Sequence, residues 1–273
     1  MPRQNLTKVG RPPGQADLLV CRVVRRRRLS PSFVRVTLGG QSLAGFVPLG
    51  ADQWIRLFLP VDDGASLARV PGRLTPRSYL RYLTLARADR PVMRSYTVAE
   101  FRADGPDGPE LDLDIVLHRG ADGERGRAAD WAASCSPGDP VGLIDGGLGF
   151  VLPQGSARVE LVGDVTALPA LAGILTALPT DVSGRATVQL RDDADRRELA
   201  RPEGVEVVWV DDAIAAVRDR TLFPQGAFGW VAGEAGLVGA VRRHWLTCGL
   251  PKDRVAFCGY WRAAHDEAPR RAL

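Results

Sequence analysis

Around Pro153-Gln154-Gly155-Ser156 the chain changes rhythm, and this change constrains its fold more than any other feature. Upstream, short β-branched and aromatic runs are divided by turn residues. They are residues 18–29, 33–38, 54–59, 95–101, 111–117 and 140–144. In the fifth run Leu111, Leu113, Ile115 and Leu117 share one face at period two, while Asp112, Asp114, Val116 and His118 share the other. Downstream, apolar strands at 159–162, 186–190, 205–210, 228–232 and 255–258 alternate with helical stretches at 167–178, 212–220 and 236–247. Strands strung on turns predict an antiparallel barrel; strands alternating with helices predict a parallel, doubly wound sheet.

The expected architecture is therefore β followed by α/β. Residues 1–153 form a six-stranded antiparallel Greek-key barrel with one helix near Ala128 to Ser134, and residues 154–273 form an open parallel α/β domain. Residues 61–77 read as a loop. No window reaches the roughly 18 apolar residues of a membrane helix, and the N-terminus has no apolar core of a signal peptide. A cytoplasmic monomer with no membrane partner is expected.

The four cysteines (Cys21, Cys135, Cys248, Cys258) and three histidines (His118, His244, His265) are scattered, so no metal-ligand set is expected. All but Lys8 and Lys252 of the 36 basic residues are arginine, and residues 1–60 carry ten basic residues against Asp17 and Asp52. Such a surplus attracts anionic ligands or nucleic acid. A nucleic-acid-binding barrel is the rival from another class. Aromatics are only 7% and are not interleaved with the arginine run at 25–28, which reads better as a solvated strand edge, so no nucleic-acid partner is expected.

Five segments carry chemistry. Arg94-Ser95-Tyr96-Thr97 combines a cation, an aromatic ring and hydroxyls at the start of a strand; taken alone it reads as an ordinary strand with an exposed arginine, while in flavoproteins such a segment meets the flavin diphosphate and ring. Gly126-Arg127-Ala128-Ala129 opens a helix, where unpaired amides bind phosphate. Gly163-Asp164-Val165-Thr166-Ala167-Leu168-Pro169-Ala170 lies where a parallel strand gives way to a helix, and Trp230-Val231-Ala232-Gly233-Glu234 is a second such junction. Gly259-Tyr260-Trp261-Arg262 closes the series. None is the glycine fingerprint of a dinucleotide fold.

In this order, over residues 18–262, the segments resemble the siderophore-interacting protein family of FAD-binding ferric-siderophore reductases, whose layout is that of ferredoxin reductases. The resemblance implies an oxidoreductase with FAD at Arg94, Ser95, Tyr96, Thr97, His118, Gly126, Arg127, Ala128, Ala129, Asp164, Thr166, Ala167 and Trp261. NADPH or NADH is expected at Gly163, Gly233 and Glu234, with ferredoxin an alternative donor. A ferric siderophore is expected near Arg56 and Arg262. No side chain is expected to act as an acid, base or nucleophile, because iron takes electrons singly and needs no proton from the protein. Three positions depart from the family pattern: Arg127 replaces a proline, Val165 a glutamate and Ala264 a glycine. They leave open an FAD protein of the same fold recruited to secondary metabolism with an organic substrate.

Overall fold

The computed structural model describes residues 17–117, 126–219 and 222–263. His118 and Ala264 lie outside the described residues. Contacts divide the chain between Gly149 and Phe150 into two compact units.

The first unit is a seven-stranded antiparallel sheet. Its strands are β1 (Leu19–Arg28), β2 (Phe33–Gly39), β3 (Trp54–Leu59), β4 (Val92–Thr97), β5 (Glu100–Gly105), β6 (Gly108–Val116) and β7 (Pro140–Gly147). They follow the order β4-β3-β7-β1-β2-β6-β5, so β2 pairs with β6 and β1 with β7 across long connections. One core takes side chains from all seven strands, from Val23, Val36 and Leu57 to Leu113, Leu143, Val92 and Phe101, so the sheet curls around it as a barrel. The strand count corrects the expected six. The run 95–101 breaks at Val98 and Ala99, whose amides bond to Gln53 and Asp112 instead of continuing one ladder, and β4 and β5 go to opposite edges.

The loop expected at 61–77 is also corrected. It holds a 3-10 turn, Ala65–Arg69, and leads into α1 (Pro76–Leu83). Thr75 caps α1, its hydroxyl accepting from the Ser78 amide while Ser78 returns the bond, and Pro76 fits the first turn where no amide partner is needed. Tyr79 and Tyr82 pack inward on a second core formed by Phe58, Leu67, Val70 and Ile144. The remaining helix, α2 (Arg127–Ser134), packs on β2, β4 and β6.

Both faces of β6 are buried, for opposite reasons. Leu111, Leu113 and Ile115 face the core. Glu110, Asp112 and Asp114 face outward yet are almost inaccessible, because arginines from neighbouring strands cover them. Arg25 grips Glu110 at 2.7 and 2.6 Å, Arg35 holds Asp114 at 2.7 Å, and Arg102 reaches both Glu110 and Asp112 at 2.9 Å. The Arg25 end of β1 is flanked by β2 alone, and residues 25–28 remain exposed.

The second unit is a five-stranded parallel sheet of β8 (Arg158–Asp164), β9 (Ser183–Gln189), β10 (Val205–Val210), β11 (Ala227–Glu234) and β12 (Val255–Trp261), in the order β10-β9-β8-β11-β12. Helices α3 (Leu168–Ala177), α4 (Ala213–Arg218) and α5 (Ala235–Thr247) follow β8, β10 and β11. The chain builds outward from β8 to β10, then returns to lay β11 on the other side of β8. The carboxyl ends of β8 and β11 are therefore the switch point, where open α/β sheets bind ligands. No described helix is long and apolar enough to cross a membrane.

Candidate functional site

In the first unit the site is built on β4, an edge strand paired only with β3. The pleat sorts Arg94-Ser95-Tyr96-Thr97 into two pairs. Arg94 and Tyr96 stand opposite Leu57 and Ile55, on the side of the barrel core. Ser95 and Thr97 stand opposite Arg56 and Trp54, on the other side. Tyr96 packs against the core, and burial pushes its phenol up to about 12, so it is neutral at any working pH. Arg94 is exposed and donates to the Met93 carbonyl at 2.8 Å, and among the described residues it has no carboxylate partner. Neither the Ser95 nor the Thr97 hydroxyl has a partner among the described residues.

Next to β4, α2 starts at an N-terminus that no side chain of the described residues caps. Gly126 is the cap residue and has no side chain to offer the first amides. Among the described residues, nothing lies within 4 Å of where a β-carbon at Gly126 would stand. Ala128 and Ala129 are buried, and Arg127 is exposed with no carboxylate partner among the described residues. Asp130 is the one acid in this first turn. Trp131 packs on the same core as Tyr96. The donor set of two uncommitted guanidinium groups, free amides and a neutral aromatic ring fits a diphosphate joined to a flat heterocycle.

Arg56 is half-buried, its guanidinium lying 5.1 Å from the centre of the Trp54 ring. The ring in turn lies flat on Gly146, where a β-carbon would come within 2.3 Å of it. Gly146 is the extra residue of a bulge in β7 opposite Trp54 and Ile55. Trp54 was not singled out from the sequence. The Trp-x-Arg spacing on one strand and the Gly-Gly pair in β7 were the available signals.

In the second unit the expected residues converge on one carboxylate. Asp164 is buried at the end of β8 and accepts four hydrogen bonds: from the Thr166 amide at 2.8 Å and hydroxyl at 2.5 Å, the Glu234 amide at 2.6 Å and the Trp261 indole at 2.9 Å. It ties together the ends of β8, β11 and β12. Gly233 has φ +131° and sits so close that a β-carbon there would meet the Asp164 carboxylate at 2.6 Å. Gly163 lies equally close to Ala167, letting the chain turn from β8 onto α3. Glu234 caps α5 by accepting from the Gly236 and Leu237 amides, and its other oxygen takes the Ala263 amide at 3.3 Å. Both carboxylates thus bond within the fold, leaving backbone edges and the half-buried faces of Thr166 and Trp261 to meet a ligand. Arg262 is exposed just beyond β12. Among the described residues no group of His, Cys, Asp and Glu could hold a metal ion.

Residues 22–149 match the siderophore-interacting FAD-binding domain, and residues 156–264 match the siderophore-interacting protein domain. An uncharacterized protein of Mycobacterium tuberculosis is 40% identical over 190 residues, 69% of this chain, and the match spans 63% of that relative's length. The NADPH-dependent ferric-chelate reductase of Escherichia coli is 30% identical over 250 residues, 88% of this chain and 91% of that one. A siderophore utilization protein from T. fusca superposes with a TM-score of 0.71 at 29% identity, over 99% of this chain and all of that one. At 12% identity a ferredoxin NADP+ reductase from Neisseria gonorrhoeae shares the fold alone, with a TM-score of 0.62 over 90% of this chain and 100% of its own. By sequence and by fold, this chain belongs to the siderophore-interacting protein family.

Proposed function

We propose that the chain is an FAD-dependent ferric-siderophore reductase, taking electrons from NADPH and delivering them to a ferric chelate. The observation that supports it is the pairing, on one barrel core, of the edge strand Arg94-Ser95-Tyr96-Thr97 with the N-terminus of α2, which no side chain of the described residues caps. It falls within the segment matching an FAD-binding domain, and the E. coli relative is named as an NADPH-dependent reductase of ferric chelates.

In this reading Arg94, the first amides of α2 and Arg127 hold the diphosphate, and Tyr96 lies along the ring as a neutral platform. Ser95 and Thr97, whose hydroxyls have no protein partner among the described residues, are free to bond the ring edge. Bound FAD would supply the conversion of a two-electron donor into single electrons. The chain's own residues bind and orient. No acid, base or nucleophile is required. Iron enters and leaves as cargo: iron(II) is held more weakly than iron(III) by hard-oxygen chelators, so reduction releases it. In the second unit the nicotinamide is assigned to the strand ends at Gly163 and Gly233. In the first unit Arg56, held over Trp54, offers positive charge to an anionic chelate; in the second, Arg262 is an exposed cation.

An anaerobic assay tests this reading. The purified protein is supplied with FAD, then with NADPH, NADH or reduced ferredoxin, then with several ferric siderophores and a ferrous trap. Iron(II) appearing with NADPH only when FAD is present supports it. A protein that takes up no flavin overturns it. A protein with redox-active FAD that reduces no ferric chelate points to an organic substrate instead.

A further inference from the structure

We infer that α1 and its flanks form a docking surface for an anionic lipid bilayer. The inference is independent of the proposed reductase activity.

Two of the most exposed large apolar side chains among the described residues lie on this one short helix: Leu80, 63% exposed, and Leu83, 43% exposed. They are not there because the helix is loose. Its N-terminus is closed by the Thr75–Ser78 capping box, its inner face is fixed by Tyr79 and Tyr82, and the Tyr82 hydroxyl bonds the Pro91 carbonyl. With that side occupied, the 3.6-residue period turns Leu80 outward and sets Leu83 at its flank.

Charge surrounds these leucines. Arg77 and Arg81 lie on the same exposed surface and Arg87 follows just beyond, all exposed. Among the described residues none of the three has a carboxylate partner, whereas Arg69 and Arg73 on the approach to the helix are paired with Asp89 and Asp17. Apolar side chains flanked by unpaired arginines match the interfacial pattern. The leucines enter the acyl boundary while the guanidinium groups stay at the phosphates.

Geometry selects a bilayer over an acidic protein. Leu80 and Leu83 stand out from the outer side of a short helix whose inner side is taken by Tyr79 and Tyr82. A two-turn helix is only about 12 Å long. That is small against the roughly 800 Å² per partner of a stable protein interface. A soft lipid surface needs no matching pocket. The expectation of no membrane partner rested on the lack of a spanning segment, and surface attachment requires none.

Co-sedimentation of the full chain with vesicles tests the inference. Phosphatidylcholine vesicles are compared with phosphatidylcholine mixed with phosphatidylglycerol, over a salt series. The protein is expected to pellet with the mixed vesicles at low salt, to be released as salt rises, and not to pellet with phosphatidylcholine alone. The exposed pairs Leu80→Ala with Leu83→Ala, and Arg77→Glu with Arg81→Glu, should each lower binding about ten-fold or more. The control pair Arg26→Glu with Arg28→Glu, in the basic run of β1, should leave it within about two-fold. Thermal melts confirm that the variants are folded. Failure of the unaltered protein to bind mixed vesicles at low salt overturns the inference and leaves an acidic protein as the partner class. So does unchanged binding by either helix pair, or an equal loss in the β1 control.

Discussion

The indole N–H of Trp261 donates to the carboxylate of Asp164 at 2.9 Å, joining the end of β12 to the end of β8 across 97 residues of sequence. The same carboxylate holds the Glu234 amide and both donors of Thr166. Asp164→Ala should therefore leave several part-buried donors without their partner and destabilise the second unit by about 1–3 kcal/mol. Trp261→Phe removes the indole donor to Asp164 and should cost about 1 kcal/mol for that bond. Urea unfolding of the two variants and of the double variant checks this. Because the residues share a bond, the two losses should not add.

Arg94 and Tyr96 share the core-side face of β4 but differ in burial, and this separates their effects. Arg94→Ala should weaken FAD by about 1.5–3 kcal/mol, through loss of a charge-assisted contact, and leave the melting temperature near the parent's. Tyr96→Ala should weaken FAD by about 1 kcal/mol or somewhat more through lost stacking, and should also lower stability because the ring packs on the core. Tyr96→Phe should keep most of both. Isothermal calorimetry with FAD beside thermal melts reads both quantities for the three variants. FAD binding unchanged in both alanine variants would remove the diphosphate and ring assignments.

Gly146→Ala places a methyl group within 2.3 Å of the Trp54 ring, so the ring must leave the β7 bulge and Arg56 loses the surface beneath it. A destabilisation of about 1–3 kcal/mol is expected. Arg56→Glu loses the cation–π contact with Trp54 and should itself cost roughly 1 kcal/mol. It should raise KM for a negatively charged ferric chelate far more than for a neutral one, with the difference shrinking as salt screens exposed charge over about 8 Å. Steady-state kinetics with the two chelates at two ionic strengths decide the matter. Equal effects on both chelates would assign Arg56 to the fold.

Glu110 is hydrogen-bonded by Arg25 and then by Arg102, which together hold its carboxyl at about 2, below the ordinary 4.5. For Asp112, burial works upward, but the bonds from Arg102 and Thr37 outweigh it and the net direction is also down. A carboxyl that is more acidic folded than unfolded adds stability above its unfolded value, and that stability is lost as pH falls through the folded one. The contribution of Glu110 should be complete above pH 4.5 and vanish between 4.5 and about 2. Glu110→Gln should flatten the acid limb of a plot of stability against pH and lower the plateau at neutral pH. An acid limb unchanged by the substitution would place the sensitivity elsewhere.

What the chain discloses before folding depends on how local the cause is. The alternation of Leu111, Leu113 and Ile115, and the strand–helix rhythm after Pro153, are local, and the two sheets follow from them. The split of residues 95–101 is not local, because the partners of Val98 and Ala99 are Gln53 and Asp112. The helix α1 escaped because its outward leucines and arginines show no inward apolar stripe. Its start was nonetheless written in Thr75-Pro76 followed by Ser78. At the site, residue types are legible and their commitments are not. Asp164 and Glu234 were identifiable as residues at strand ends, but only the fold reveals that their carboxylates bond to indole and backbone donors. Likewise Arg25 and Arg35 count toward a basic surplus in residues 1–60, yet both pair with acids from residues 100–114.

The carboxylates of β6 also bear on what happens when two unfolded chains meet. Residues 108–116 alternate Leu111, Leu113 and Ile115 with Glu110, Asp112 and Asp114, and their β-rich apolar half is of the kind that stacks into fibrils. In a growing cross-β stack each strand lies about 4.8 Å from its copy. Three ladders of like charge would then run the length of the fibril, with Arg25, Arg35 and Arg102 left behind on other segments of the chain. In the monomer those arginines arrive by intramolecular pairing and the repulsion disappears. The same three acids that seal the outer face of the barrel therefore disfavour in-register stacking of β6 on its own copies, the role of gatekeepers against self-association.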